Sequence, residues 1–396
     1  MRKGWVTLLL LAIIIAGAYS LNKQINVFPT IVSTEVAVQS AEGGAEPVKE
    51  GVSAGEAEVS ERPYGKLEQD LAAGFKERSE RFTATYVGDK SELSEHMTSI
   101  IREALTYDDY SAYILESYLY TIRSWGSKST ITVEARYRES LEETAEVDRV
   151  VEEALAQLLK PGMNEHEKVK AIHDWIVTRV EYDQSLSYYT AYDAAVLGKA
   201  VCQGYSLLGY RMLEQAGIPV RIAEGTVDTG EHAWNMVRLD GQWYHLDLTW
   251  DDPVGAEDDR IRYTYYLKTD EELRADHSWT RTYPEASVSY ADTLAGLAAE
   301  DAGEADRFAK LKLSLGLHWL DAEHTVTDGS ALKAKIQSAV RARTTHLAFR
   351  YKQGDDFPEQ LKAAFKDVGA AVGYRASYEK YGSDNSLLVN VHLNYP

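Results

Sequence analysis

The chain has 396 residues, a formal charge of −20 and one cysteine, Cys202, among 26 tyrosines and 8 tryptophans. So acidic a balance argues against nucleic acid or an anionic lipid surface as partner, because either calls for clustered cations. A lone cysteine excludes an internal disulfide, and the length allows two or three domains.

In chain order, Arg2 and Lys3 precede the apolar run Trp5 to Gly17, and Ala16-Gly17-Ala18 offers a small-residue cleavage site. Residues 1–20 therefore predict an export signal, or an anchor if left uncleaved, and an extracellular or cell-surface location. No cysteine follows the run, which excludes a lipoprotein anchor. Residues 21–63, rich in Ala, Glu, Gly and Ser and poor in aromatics, read as a solvated linker.

Residues 64–146 form a first α+β module. Leu67, Leu71 and Phe75 share a helical face, Phe82 to Tyr86 is an apolar stretch, Glu92 to Leu105 a helix and Ser129 to Tyr137 a strand. Residues 331–396, after a connecting segment at 291–330, repeat the pattern. Leu332, Ile336, Val340, Leu347 and Tyr351 follow from Leu67, Leu71, Phe75, Phe82 and Tyr86 by adding 265. Trp125-Gly126-Ser127 maps to Tyr381-Gly382-Ser383, and Val133 and Ala135 to Val389 and Val391, by adding 256. The two offsets imply two helix-strand-helix-strand modules, the first with nine extra residues in its middle. Neither carries a catalytic constellation, so binding a surface partner or spacing is their expected task.

The chemistry lies in residues 147–290. Asn164 and Glu167 make a capping box that opens a helix with Val169, Ile172, Trp175, Ile176 and Val180 on one face, and His173 is structural within it. Asp183 to Tyr192 is a polar, Tyr-rich loop. A second helix runs from Cys202 to Gln215, stopped by Gly217 and Pro219. Cys202 thus falls at a helix N-terminus, where N–H groups and the dipole favour a thiolate. Asp240-Gly241 is a two-residue hairpin turn, which pairs Leu239 with Gln242, Met236 with His245 and Trp234 with Asp247. That register puts His232 and Asp247 on one face as diagonal neighbours, beside Trp234, His245 and Thr249, with Ala233, Val237, Leu239, Tyr244, Leu246 and Leu248 behind.

An inert buried thiol is the alternative for an isolated cysteine, but the histidine-carboxylate pair favours a nucleophile. Cys202 is then the nucleophile, His232 the general base and Asp247 the group that orients the ring. The Cys202 N–H, with Tyr192 or Tyr189 from the preceding loop, would hold an oxyanion. His245 and Trp234 are supporting groups. A Cys/His/His/Asp metal site lacks close ligand pairs, so neither metal nor cofactor is expected. Asp251, Asp252, Glu257, Asp258 and Asp259 lack calcium-loop spacing and read as a solvated acidic loop.

Ala-Val-Cys202-Gln-Gly-Tyr, His232-Ala-Trp-Asn and Trp243-Tyr-His-Leu-Asp247-Leu-Thr-Trp-Asp-Asp-Pro253 resemble the three blocks of the bacterial transglutaminase-like superfamily. The resemblance covers the central third only. It implies a papain-like core with a Cys-His-Asp triad, an α+β chain overall, and acyl transfer at protein or peptide amides. Hydrolysis is favoured over cross-linking, because no second, amine-accepting cleft is visible in the sequence. The alternative is a catalytically silent surface protein that keeps the fold for binding or scaffolding.

Overall fold

The computed structural model describes residues 62–254, 260–366, 368, 372–382 and 384–396. The predicted signal and all but the last residues of the linker lie outside them, as do Glu257, Asp258 and Asp259. Among the described residues no helix is long and apolar enough to cross a membrane. Helices combine with antiparallel sheets throughout, so the fold is α+β. Contacts divide the chain into two compact units, residues up to Glu152 with Asp183–Arg211, and Glu153–Tyr182 with Met212–Pro396.

In the first unit, α1 (Gly65–Lys76) buries Leu67, Leu71 and Phe75. Next come β1 (Arg81–Val87), α2 (Lys90–Leu105), the short α3 (Asp109–Ile114), β2 (Leu115–Trp125) and β3 (Lys128–Tyr137). Asp89 caps α2 by accepting from the N–H groups of Ser91 and Glu92. The strand order is β1-β3-β2, and both helices pack their apolar stripes on one face of that sheet. Each large side chain so buried stabilises the module by about 1.5–3 kcal/mol.

The module is helix-strand-helix-hairpin, not helix-strand-helix-strand. Strand β2 carries Tyr118, Tyr120 and Ile122 inward and was legible by alternation. The nine extra residues include α3. Helix α4 (Leu141–Leu158) follows.

The second unit opens with α5 (Glu165–Val177), whose Asn164-Glu167 capping box is present. Helix α6 (Cys202–Gln215), whose residues up to Arg211 belong to the first unit, ends ahead of Gly217, which adopts φ +80. Strands β4 (Val220–Val227), β5 (Gly230–Leu239) and β6 (Gln242–Leu246) form an antiparallel sheet in that order. The turn at Asp240-Gly241 sets the expected pairs, Leu239 with Gln242 and Met236 with His245.

The ladder stops at Leu246, so the expected pair of Trp234 with Asp247 does not form. Asp247 leaves the ladder because its Oδ1 accepts the N–H groups of Thr249 and Trp250, turning the chain. Helices α7 (Asp270–Leu273), α8 (Tyr290–Glu300) and α9 (Ala305–Ser314) lead to the last module.

That module holds β7 (Thr325–Val326), α10 (Gly329–Arg341), β8 (His346–Tyr351), α11 (Phe357–Lys366), β9 (Gly373–Lys380) and β10 (Leu387–Asn394). Its strand order is β9-β10-β8-β7, so hairpin and first strand are arranged as in the first module. Strand β9 is exposed along most of its length and has no inward alternation to betray it.

The match is closer than the offsets suggest. Val133 pairs with Phe82 and Tyr120, whose counterparts Leu347 and Ala376 both pair with Val391. Val391, not Val389, is therefore the counterpart of Val133. The second hairpin closes Tyr381 on Ser386, two residues further apart than the pair Trp125 and Lys128, which displaces the last strand by two. With that correction Arg78 over Tyr137 matches Arg343 over Tyr395, and both arginines have positive φ, +58 and +54.

Candidate active site

Cys202 is the first residue of α6 and is buried. The Val201 carbonyl accepts the N–H groups of Gly204 and Tyr205, so the Cys202 N–H lies among those that no helical carbonyl can reach. Gly204 follows from a close approach: a Cβ there would lie 2.9 Å from the Thr190 carbonyl oxygen and 2.5 Å from the Ala200 Cβ. The loop ahead of α6 is held by its own acids. Asp183 accepts from Ser185, Ser187 and Tyr188, and Asp193 from Tyr189 and Thr190.

These bonds bear on the oxyanion candidates. The Tyr189 N–H goes to Asp193 Oδ2 at 2.9 Å and its hydroxyl to the Leu186 carbonyl at 2.7 Å. The Tyr192 N–H goes to Glu139 Oε2 at 3.1 Å. What Tyr192 has left to offer a reaction is its hydroxyl.

In the second unit His232 Nε2 lies 2.7 Å from Asp247 Oδ2, both groups buried. Burial alone would raise the Asp247 carboxyl. The His232 charge and the hydrogen bonds from His232 and His277 outweigh it and hold the group well below the usual carboxylate range.

His277 is the residue that sequence reading missed. Its Nε2 meets the same Oδ2 at 3.0 Å and its Nδ1 meets Asp276 Oδ1 at 2.6 Å. Two carboxylates, Asp247 and Asp276, thus hold the ring from either side. Gly225 brings His277 there. It pairs with His232 across the sheet, and a Cβ on it would lie 2.1 Å from the Ser278 carbonyl oxygen. Ser278 bridges to Thr226 through both backbone bonds, at 2.7 and 2.8 Å. The His232, Asp247 and His277 ligand atoms lie within 4.8 Å of one another, a spacing that a divalent ion could bridge, although shared N–H donors account for it fully.

The polar face of the hairpin is covered, not solvated. Trp234 stacks on His232 at 5.9 Å, and Trp250 lies 4.5 Å from His277 between ring centroids. Trp234 Nε1 donates to His245 Nδ1 at 2.9 Å, so Nδ1 is unprotonated and Nε2–H faces Asp270 Oδ1 at 2.7 Å. Burial lowers the His245 imidazole despite Asp270, in keeping with a neutral ring. His245 thus anchors Trp234, and Trp234 packs against the ring of His232.

Asp251 departs from the expected solvated loop. It is buried, accepts the Tyr265 N–H at 2.9 Å and faces His173 Nε2 at 3.2 Å, while His173 Nδ1 faces Asp174 at 3.0 Å. Burial would lower the His173 imidazole, but its two carboxylate partners raise it. His173 is a structural clamp between α5 and the turn after Asp247.

Residues 153–248 match the family model of the transglutaminase-like superfamily. The central part of the chain is a transglutaminase-like domain. Kyphoscoliosis peptidase of Homo sapiens is 30% identical over 118 residues, covering 25% of this chain and 18% of that protein. The Mus musculus protein of the same name is 29% identical over 145 residues, covering 31% and 22%. The chain therefore spans less than a quarter of the length of these curated relatives. A solved structure of a TGase aligns over 46% of this chain and 54% of its own, at 14% identity and a TM-score of 0.26.

Proposed function

We propose that the transglutaminase-like domain is a thiol-dependent acyl-transfer enzyme acting on protein or peptide amides, with Cys202 as nucleophile, His232 as base and Asp247 as the orienting carboxylate. The observation that carries this reading is the buried 2.7 Å contact of His232 Nε2 with Asp247 Oδ2, made by a pair that the family match encloses. With Nε2–H held by the carboxylate, Nδ1 is the ring's basic nitrogen. It takes the Cys202 proton as sulfur attacks the amide carbonyl, and the resulting oxyanion is stabilised by the Cys202 N–H and the Tyr192 hydroxyl. His232 then protonates the departing amine, leaving a thioester. Water attacks the thioester, giving its proton to His232, and the acid product leaves as the thiol is restored.

Hydrolysis is put ahead of amine exchange because the relatives that share this region are named peptidases. Export rests on the N-terminal sequence alone. The test is incubation of the full chain with a peptide library, with and without a primary amine, beside Cys202→Ala. Cleavage that the alanine variant loses, without amine incorporation, supports the reading. Identical profiles for both proteins would favour the silent scaffolding protein.

A further inference from the structure

The first module was expected to bind or to space. Its interior bonds lead toward the segment that carries Cys202. Two parts of it, α3 and the Glu139 paired with Arg78, reach the loop and helix carrying Cys202. The wholly buried side chain of Gln203 donates Nε2 to the Tyr113 carbonyl in α3 at 2.6 Å. From the same short helix, Tyr110 packs on Tyr210 and lies under the Arg211 guanidinium, which is paired with Asp148.

Glu139 is likewise wholly buried. Its Oε1 accepts the hydroxyls of Tyr110 and Thr144, each at 2.6 Å, and its Oε2 accepts the Tyr192 N–H. The counter-charge is Arg78, 3.7 Å away, which also donates to the Glu139 carbonyl and to Thr144. Arg78 holds a left-handed backbone, a cost for a non-glycine residue that surrounding contacts must offset. Its counterpart Arg343 has the same backbone and the same aromatic partner but is exposed. In the first module an arginine that caps a helix has been buried and given a carboxylate, and that carboxylate grips the loop before the nucleophile.

We propose that the first module is a working part of the acyl-transfer site, with Glu139 as the positioning residue that fixes the loop carrying Tyr192 and so sets the cradle of the substrate carbonyl. This rests on Cys202 being the nucleophile. Glu139 acts through the Tyr192 backbone, not on the reacting atoms. The loop needs such a hold because its own acids, Asp183 and Asp193, tie it only to itself, and a displacement near 1 Å at a reacting centre costs on the order of 100-fold in rate.

The test compares the full wild-type chain with Glu139→Gln and with the double variant Arg78→Met, Glu139→Met. Stranding one buried charge can unfold a protein, whereas replacing both by apolar groups is often tolerated, so the double variant keeps a folded molecule for assay. The readouts are kcat and KM on a peptide amide and the second-order rate of Cys202 alkylation by iodoacetamide, with thermal unfolding to verify folding. The expected result is a kcat lower by roughly 10- to 100-fold, KM within about twofold, and severalfold slower alkylation in protein that still unfolds cooperatively. Wild-type kcat and alkylation in a folded double variant would overturn the proposal. If wild type cleaves no amide, the activity reading fails by itself. Alkylation then decides the role of Glu139: altered rates uphold it, and equal rates overturn it.

Discussion

Asp247→Asn probes the site most sharply, because its carboxylate accepts from four donors among the described residues. Oδ1 accepts the N–H groups of Thr249 and Trp250 at 3.0 and 3.2 Å, and Oδ2 accepts from His232 and His277 at 2.7 and 3.0 Å. Asparagine keeps the shape but has one oxygen and one NH₂. The backbone N–H groups cannot change character, so they retain the oxygen and the NH₂ turns to the two imidazoles. Both Nε2 atoms must then accept, and the proton of His232 moves to Nδ1, the nitrogen that the proposed reaction needs as base. Loss of the correct tautomer with intact geometry lowers kcat by about 10⁴, or about 5 kcal/mol of barrier. The assay is kcat on a fluorogenic peptide amide, with circular dichroism to verify the fold. A folded asparagine variant within about tenfold of wild type would refute the assignment of roles.

Two further outcomes follow from the surroundings of the pair. Gly225→Ala places a Cβ 2.1 Å from the Ser278 carbonyl oxygen and 3.0 Å from Trp234, so the segment bearing His277 must move away. Unfolding should show a loss of about 1–3 kcal/mol, with reduced activity from the disturbed Asp247 partner, and an unchanged unfolding midpoint would contradict the close approach. His173 is raised above its ordinary 6.5, so the folded state holds that proton more tightly than the unfolded chain. Its contribution is complete below about pH 6.5 and is lost as pH rises through the higher folded value. The thermal midpoint should therefore fall as pH rises above about 6.5, and His173→Asn should lack that decline. A wild-type midpoint that rises over the same range would refute the clamp.

Several features were legible because short-range rules govern them. A two-residue turn dictates register, so the pairing of His232 with Asp247 could be read from Asp240-Gly241, even though Asp247 itself turns out of the ladder. The start of α6 at Cys202 and its end before Gly217 follow from local capping. His277 was hidden because it lies in an irregular stretch with no periodicity, and its place depends on a backbone bridge to Thr226, far along the chain. The one sequence trace of that bridge is Gly225, a glycine inside a strand, which signals close backbone approach without saying to what.

The role proposed for the first module is harder to read from sequence. A search for catalytic constellations finds side chains that touch substrate, and the first module has none. What it supplies is an acceptor for one backbone N–H, on a carboxylate 53 residues from Tyr192 in sequence. Such a bond leaves no motif. Its indirect traces are the nine-residue insertion and the pair of arginines at positive φ. A repeat exposes them, because two copies of one module under the same helix-capping constraint can be compared position by position. Beside the longer hairpin and the extra strand of the last module, they differ at α3 and in the burial of Arg78, and these two differences lead to the segment that ends at Cys202.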